Sequence, residues 1–343
     1  MKKSSLLLVS VFVYALLFTN HANGQQRDPV LTRSFNASSI EVVEVITSNS
    51  SITMNGDAGS QAVVEVYASR NNWTASRVKQ VLEENYTIEI KVERGKLYVE
   101  VKTKGGTFNR DRQGLNISLR LSVPNRVNTN LSTSNASIQI GSLSGFHDIK
   151  TSNGSVKIDH VSGKILGRTS NGSITVTNAN DDIDLKTSNG SITVKDCYGK
   201  TVMQTSNGSV NLSNLSGFIS ATTSNGSVKA SAIKGELKVG TSNGSVNIND
   251  VSGSVDARTS NSSMNVTMES VSDYVKLTNS GSLSLTLPAG HGYNLNVRAN
   301  RIETSGLADF RGNTSSTNLE GTVGRGGALI EVRTSQRVSL SFR

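Results

Sequence analysis

The best cluster of side chains for acid–base chemistry lies in the segment NANDDIDLK. It contains Asp181, Asp182 and Asp184 within a single short stretch. Glycan-cleaving enzymes need clustered carboxylates on one face, so a β-helix lyase or hydrolase is one interpretation of this sequence. The segment also has the composition of a turn. We therefore interpret the three acids as solvated turn residues rather than as a catalytic pair.

The other reactive residue types form no recognised motif. No HExxH pair is present, and the GSLSG segment has Leu143 where a nucleophilic serine would be needed. The single cysteine, Cys197, cannot form an intrachain disulfide and is predicted to be a small buried apolar residue. The histidines beyond position 25 stand apart in sequence; they are His147, His160 and His291. We predict no enzymatic activity, no metal site and no cofactor.

The feature that does recur is a polar pentapeptide, TSNGS, on a constant 18-residue spacing. Related forms flank the run, TSNAS at Thr133 and TSNSS at Thr259, and an early TSNSS begins at Thr47. Constant spacing without insertions indicates stacked repeats, in which the asparagines would align as a ladder of amides. This ladder is the candidate structural or binding site, and its members are Asn153, Asn171, Asn189, Asn207, Asn225 and Asn243.

The elements that position this ladder are short β-strands. In the repeat TSNGSVKIDHVSGKILGR, apolar Val156 and Ile158 alternate with polar residues, which is strand periodicity. Such strands are too short to fold alone but bury a continuous core when repeats stack. The sequence predicts an all-β, single-chain β-solenoid, right-handed, with about 18 residues per coil. Its corner threonines point inward, and its Asn-Gly corners use positive φ. An all-β sandwich is the alternative fold.

The repeat pattern divides the chain into four predicted parts. Residues 1–24 have a basic start, an apolar stretch and small residues before Gln25, as in a secretory signal peptide. Residues 25–130 form a β-rich amino-terminal cap containing an inserted helix and hairpin. Residues 131–277 carry the regular repeats, and residues 278–343 carry degenerate repeats and a second cap.

Two details of the amino-terminal cap can be predicted. A helix is expected from Trp73 to Glu84, with Thr74 as its N-cap, and a hairpin should turn near Arg94 and Gly95. The early TSNSS segment is expected to form the first coil of the solenoid.

Charge and the leader segment limit the function further. Removing Lys2 and Lys3 with the leader reduces the formal charge from +9 to +7. Export and a low aromatic content argue against nucleic acid as a partner. We predict a periplasmic, outer-surface or secreted protein, with no later membrane-spanning segment and no lipid anchor.

The sequence resembles the DUF4097 family of exported, adhesin-like β-strand-repeat proteins. The resemblance rests on four segments in order: AVVEVYAS with the following helix and hairpin, ISLRLSVPNRVNTNLSTSNASIQIGSLSG, the corner repeats, and GTVGRGGALIEVRTS. It implies a β-solenoid at the cell envelope or surface and no established reaction. Many family members have Gly-Ser-Gly-Asp where this chain has Ser-Asn-Gly-Ser, so the family's acidic corners are absent here.

Three functions remain open from the sequence. The first is a non-enzymatic exported adhesin or envelope protein whose partner is an envelope or host glycan, or another envelope protein. The second is a glycan-active β-helix enzyme. The third is an ice-binding solenoid, which would require exposed ranks of threonine.

Overall fold

The computed structural model describes residues 28–104 and 114–343, and their dominant element is the β-strand. The predicted signal peptide and most of the GGTFNRDRQG loop lie outside these residues. The amino-terminal elements are β1 (Leu31–Asn36), a 3-10 turn (Ala37–Ser39), β2 (Val42–Thr47), β3 (Ser51–Asn55), β4 (Gln61–Ser69), α1 (Ala75–Asn85), β5 (Tyr86–Glu93), β6 (Lys96–Thr103) and β7 (Asn116–Ser122).

The regular coils follow. Their strands are β8 (Asn128–Ser132), β9 (Ile138–Ser144), β10 (His147–Lys150), β11 (Val156–Ser162), β12 (Ile165–Arg168), β13 (Ile174–Asn180), β14 (Ile183–Lys186), β15 (Ile192–Gln204), β16 (Val210–Thr222), β17 (Val228–Thr241), β18 (Val246–Thr259) and β19 (Met264–Asn279).

The carboxyl-terminal strands are shorter and less regular. They are β20 (Leu283–Leu287), β21 (Tyr293–Arg298), β22 (Arg301–Ser305), β23 (Phe310–Thr314), β24 (Asn318–Val323), β25 (Ala328–Thr334) and β26 (Arg337–Phe342).

Successive coils pair in parallel with an offset of one repeat, which confirms the predicted β-solenoid. Val156 pairs with Ile174, and Ile192 pairs with Val210. Each inward position is therefore covered by the same position of the next coil. The inward direction also agrees with the sequence: Val194 is fully buried, whereas Lys195 is exposed.

The coil bends at positions that the Asn-Gly rule did not identify. One bend residue has a left-handed backbone, as at His160 with a φ of 53° and Asn214 with the same φ. A second bend follows at a glycine, as at Gly217 with a φ of 114°. These positions recur once per coil, and Asn, Asp and Gly at several of them tolerate positive φ well.

The amino-terminal end does not stack in chain order. The coil of β2 and β3 lies between that of β8 and β9 on one side and that of β6 and β7 on the other. The early TSNSS segment is thus the second coil and not the first, because residues 96–122 fold back outside it. Antiparallel β5, β4 and β1 complete this end.

Helix α1 and the hairpin match their predictions closely. The Thr74 side chain accepts a hydrogen bond from the Arg77 amide, and the buried Val78, Val81 and Leu82 face the solenoid core. The hairpin turns through Arg94 and Gly95, which both have positive φ.

The carboxyl-terminal end repeats this doubling back. After β19, the next coil is made of β20 and the much later β25, and β26 stacks on β20. Strands β21 and β22 lie outside β25 and β26, although they precede them in sequence. Antiparallel β24 and β23 close this side.

Candidate functional site: the asparagine edge

The TSNGS corners stack into one continuous edge, which we call the asparagine edge. Each asparagine donates from Nδ2 to Oδ1 of the asparagine one coil earlier, at 2.6–2.8 Å. The ladder is longer than the six predicted members. It runs through Asn49, Asn135, Asn153, Asn171, Asn189, Asn207, Asn225, Asn243 and Asn261.

The corner threonines hold the edge from the inside. Thr205 is buried, and its hydroxyl donates to the Gly190 carbonyl at 3.0 Å while accepting from the Gly208 amide at 3.2 Å. The backbone adds two more bonds per corner, for example from the amides of Ser206 and Asn207 to the Ser188 carbonyl. This network leaves the threonine row facing inward, as the sequence predicts.

The corner glycines are required for a different reason from the one predicted. The glycine of each TSNGS lacks positive φ, so the expected left-handed Asn-Gly turn is wrong. A Cβ at Gly208 would overlap the backbone carbonyl of Gly190, and the same holds along the column. Glycine is therefore needed at the six TSNGS corners because their stacked backbones approach each other too closely for a side chain, whereas the flanking corners have Ser50, Ala136 and Ser262 at this position.

The outer surface of the edge is polar and uncharged. Asn207 and Ser206 are both exposed. An amide has two N–H donors and an acceptor with two lone pairs. Inside the ladder each amide uses one donor and one acceptor site, so one of each faces solvent. The edge can therefore offer a regular row of hydrogen-bonding groups, but no nucleophile or acid.

The acids Asp181, Asp182 and Asp184 do not form a single acidic site in the structure. The Asp181 carboxylate accepts a hydrogen bond from the Gly163 amide at 3.0 Å, while Asp184 pairs with Arg168 at 2.7 Å. Asp182 is exposed. Two of the three acids are thus engaged in separate contacts between coils.

Cys197 occupies the buried position predicted for it. It is 1% exposed, and burial raises the pKa of its thiol. Such a thiol is a weak nucleophile.

His147 is the buried polar side chain whose environment the sequence analysis missed. It is fully buried, its Nδ1 lies 3.0 Å from the Thr129 hydroxyl, and its Nε2 has no partner in the described part of the chain. Burial lowers its pKa to about 4. His147 lies opposite Ile165, which in turn lies opposite Ile183. Aligning the repeats in the sequence would therefore have shown that position 147 belongs to a buried column.

A shallow depression near the amino-terminal end is lined by charged residues of both signs. Lys91 pairs with Glu89 at 2.9 Å, and Lys96 pairs with Glu44 at 2.9 Å; Tyr98 lies beside them. These neighbours neutralise one another, so the depression has little net charge with which to attract an ionic ligand.

Within residues 28–104 and 114–343, no group of three or more potential ligands is placed to hold a metal ion. Within the same ranges, no helix is long and apolar enough to cross a bilayer.

Comparison with known proteins gives a family match and distant structural likenesses. A solved protein from Clostridium sporogenes ATCC 15579, provisionally named a cell adhesion protein, aligns at 8% identity. The alignment covers 91% of this chain and 98% of the other, with a TM-score of 0.21. One from Parabacteroides distasonis ATCC 8503, provisionally named an adhesin, aligns at 12% identity over 91% and 96%, with a TM-score of 0.30. At such scores neither structure assigns a function to this chain.

No curated protein matches the chain in sequence. The model of the family described as Toastrack DUF4097 matches residues 173–336, which include most of the regular coils and most of the carboxyl-terminal end. Residues 173–336 are therefore similar to the Toastrack DUF4097 family, which is the family that the sequence resembles.

Proposed function

We propose that this protein is an exported, non-enzymatic β-solenoid that adheres to a partner at the cell envelope or surface. The observation that carries the proposal is the asparagine edge, a long, rigid and uncharged row of exposed serine and asparagine groups. A rigid row loses little conformational entropy on binding, which favours weak contacts repeated along an extended partner. Glycan is the partner class whose hydroxyl groups best complement such a row.

The alternatives have less support. The acids at Asp181 and Asp184 are held in separate contacts, so no carboxylate pair is available there for glycan cleavage. The threonine row is buried, as at Thr205, whereas an ice-binding surface would need exposed threonines.

One paired experiment distinguishes adhesion to a glycan from cleavage of that glycan. Purified protein is applied to a glycan array, and the glycans it binds are then incubated with it in a reducing-sugar release assay. The proposal expects binding without release. Sugar release that is lost in Asp181→Asn or Asp184→Asn would refute the non-enzymatic function.

Export has its own test. Amino-terminal sequencing of the protein recovered from the envelope or the medium should give a start near Gln25. Recovery of an intact Met1 start in the cytoplasm would contradict export.

A further inference from the structure

Two pairs of arginines flank the asparagine edge where it reaches the carboxyl-terminal end. The last two corners read Arg-Thr-Ser-Gln-Arg at residues 333–337 and Arg-Ala-Asn-Arg at residues 298–301. Arg298 pairs in register with Arg333, and Arg301 pairs in register with Arg337. We call the four residues the arginine corner: Arg298, Arg301, Arg333 and Arg337.

This placement puts like charges directly opposite each other. Paired strands lie about 4.8 Å apart, and like charges at opposed positions destabilise a sheet. Three of the four side chains have a relative exposure of 58–71%, and Arg298 also lies at an exposed position. The fold therefore places these cations where their mutual repulsion lowers its stability.

Acidic partners offset only part of the charge. Arg333 lies 2.7 Å from Glu331, while Arg301 and Arg337 share Glu303 at 3.0 and 4.0 Å. Arg298 has no acidic partner among the described residues. Four cations and two anions leave a net charge of +2 at this corner.

The backbone between the arginines continues the asparagine edge. The Thr334 hydroxyl donates to the Gly281 carbonyl at 2.6 Å, and the Ser335 hydroxyl donates to the Ser280 carbonyl at 3.0 Å. The Asn300 amide donates to the Gln336 carbonyl at 2.9 Å. An extended ligand lying along the edge would therefore reach the arginines at this end.

We propose that the arginine corner binds the carboxylate groups of an acidic polysaccharide. A guanidinium group binds a carboxylate through two parallel hydrogen bonds, which a planar fork provides and an ammonium does not. Each pair places its two arginines on adjacent coils, so guanidinium groups recur along the edge as carboxylates recur along an acidic polysaccharide. The serines and asparagines beside them can form hydrogen bonds with its hydroxyl groups.

Charge complementarity alone would also fit a nucleic acid, but the neighbouring side chains favour the polysaccharide. Single-stranded nucleic acid is bound largely by stacking of its bases on aromatic rings. The outward positions beside the four arginines on their strands carry no aromatic residue; they are Asn296, Glu303, Glu331 and Ser339.

This inference rests on the proposed function, and a charge-matched comparison tests it. The variant Arg298→Gln/Arg301→Gln removes two corner cations. The control Lys157→Gln/Lys229→Gln removes two exposed lysines that have no acidic partner in the described chain. Titration calorimetry measures binding of each to polygalacturonate and to its uncharged methyl ester.

The expected result is a loss of about tenfold or more in affinity for polygalacturonate in the arginine variant, and less than about twofold in the control. The methyl ester should bind weakly to all forms. A second variant, Arg333→Gln/Arg337→Gln, should show the same loss. Melting curves should show that both arginine variants fold, with unchanged or raised stability because repulsion is relieved.

Equal losses in arginine and lysine variants would overturn the proposal, since they would indicate attraction by net charge alone. Equal binding of the methyl ester, or stronger binding of a single-stranded oligonucleotide, would also overturn it. These outcomes leave the proposed function intact if the arginine variants still adhere to uncharged glycans on the array.

Discussion

The middle and the ends of this solenoid stack by different rules. In the middle, each corner column repeats one residue type, and Asn, Thr and Gly can each lie against a copy of itself. Asparagine bonds to asparagine, threonine bonds to the corner backbone, and glycine allows close approach. At the ends the chain doubles back and antiparallel strands appear, and at the carboxyl-terminal end arginine lies opposite arginine. Self-complementary residues therefore build the corners of the array, whereas opposed cations lie beside the corners, at Lys150, Arg168 and Lys186 and again at the carboxyl-terminal end.

The largest expected effect tests the core of the middle coils. Val194→Asp would place an unpaired carboxylate in the stacked interior, at a cost of about 3–5 kcal/mol in unfolding free energy. Lys195→Asp changes an exposed neighbour and should cost less than about 1 kcal/mol. Chemical denaturation of both variants measures the difference. Similar midpoints would show that the inward register is wrong.

The second effect tests why the middle coils need glycine. Gly208→Ala forces a Cβ against the Gly190 carbonyl, so the two coils must separate, at about 3 kcal/mol or more. Gly240→Ala is the matched control, because its nearest neighbour is the Thr222 methyl at 3.8 Å. Thermal unfolding should show a large fall for the first variant and a change within about 1 kcal/mol for the second. Tolerance of Gly208→Ala would contradict the close approach of the corners.

The third prediction concerns the pH dependence of the unfolding free energy and depends on His147, near the amino-terminal end. This histidine lies in a buried column whose next two members are Ile165 and Ile183. His147 has a folded-state pKa of about 4, below the ordinary value of 6.5. Between these values the unfolded chain takes up a proton that the folded chain excludes. Unfolding free energy should therefore fall as the pH drops from about 6.5 to about 4, by up to about 3 kcal/mol from this residue.

The control for this pH effect is His147→Ile, which copies Ile165 in the next coil. Denaturation midpoints of the two proteins, measured across this range, should diverge as the pH falls. Parallel pH profiles would show that His147 is not the source of the acid sensitivity.

Comparison of the middle with the ends also explains which features the sequence could predict. The constant TSNGS spacing determines the coil length and the stacking partner of Val194, and the local signals at Thr74 and Gly95 locate the helix and the hairpin. Stacking order at the ends depends instead on the chain doubling back, which no local pattern reports. The juxtaposition of Arg298 with Arg333 is a consequence of that order and could not be predicted. The corner conformation was missed because close coil contact, and not turn preference, selects the glycine.

The smallest expected effect shows whether the asparagine edge contributes to stability or to glycan binding. Asn207→Ala removes two ladder bonds, one to Asn189 and one from Asn225, each 2.7 Å long. The side chain is exposed, so water replaces much of what is lost, and the cost should be about 0.5–1 kcal/mol. Ser206→Ala changes an exposed neighbour and should not alter the unfolding temperature. A measurable fall for Asn207→Ala with unchanged glycan binding would make the ladder a device for coil register. Unchanged unfolding with reduced binding would instead make the exposed amides the adhesive groups, because only their outward donor and acceptor sites would then matter.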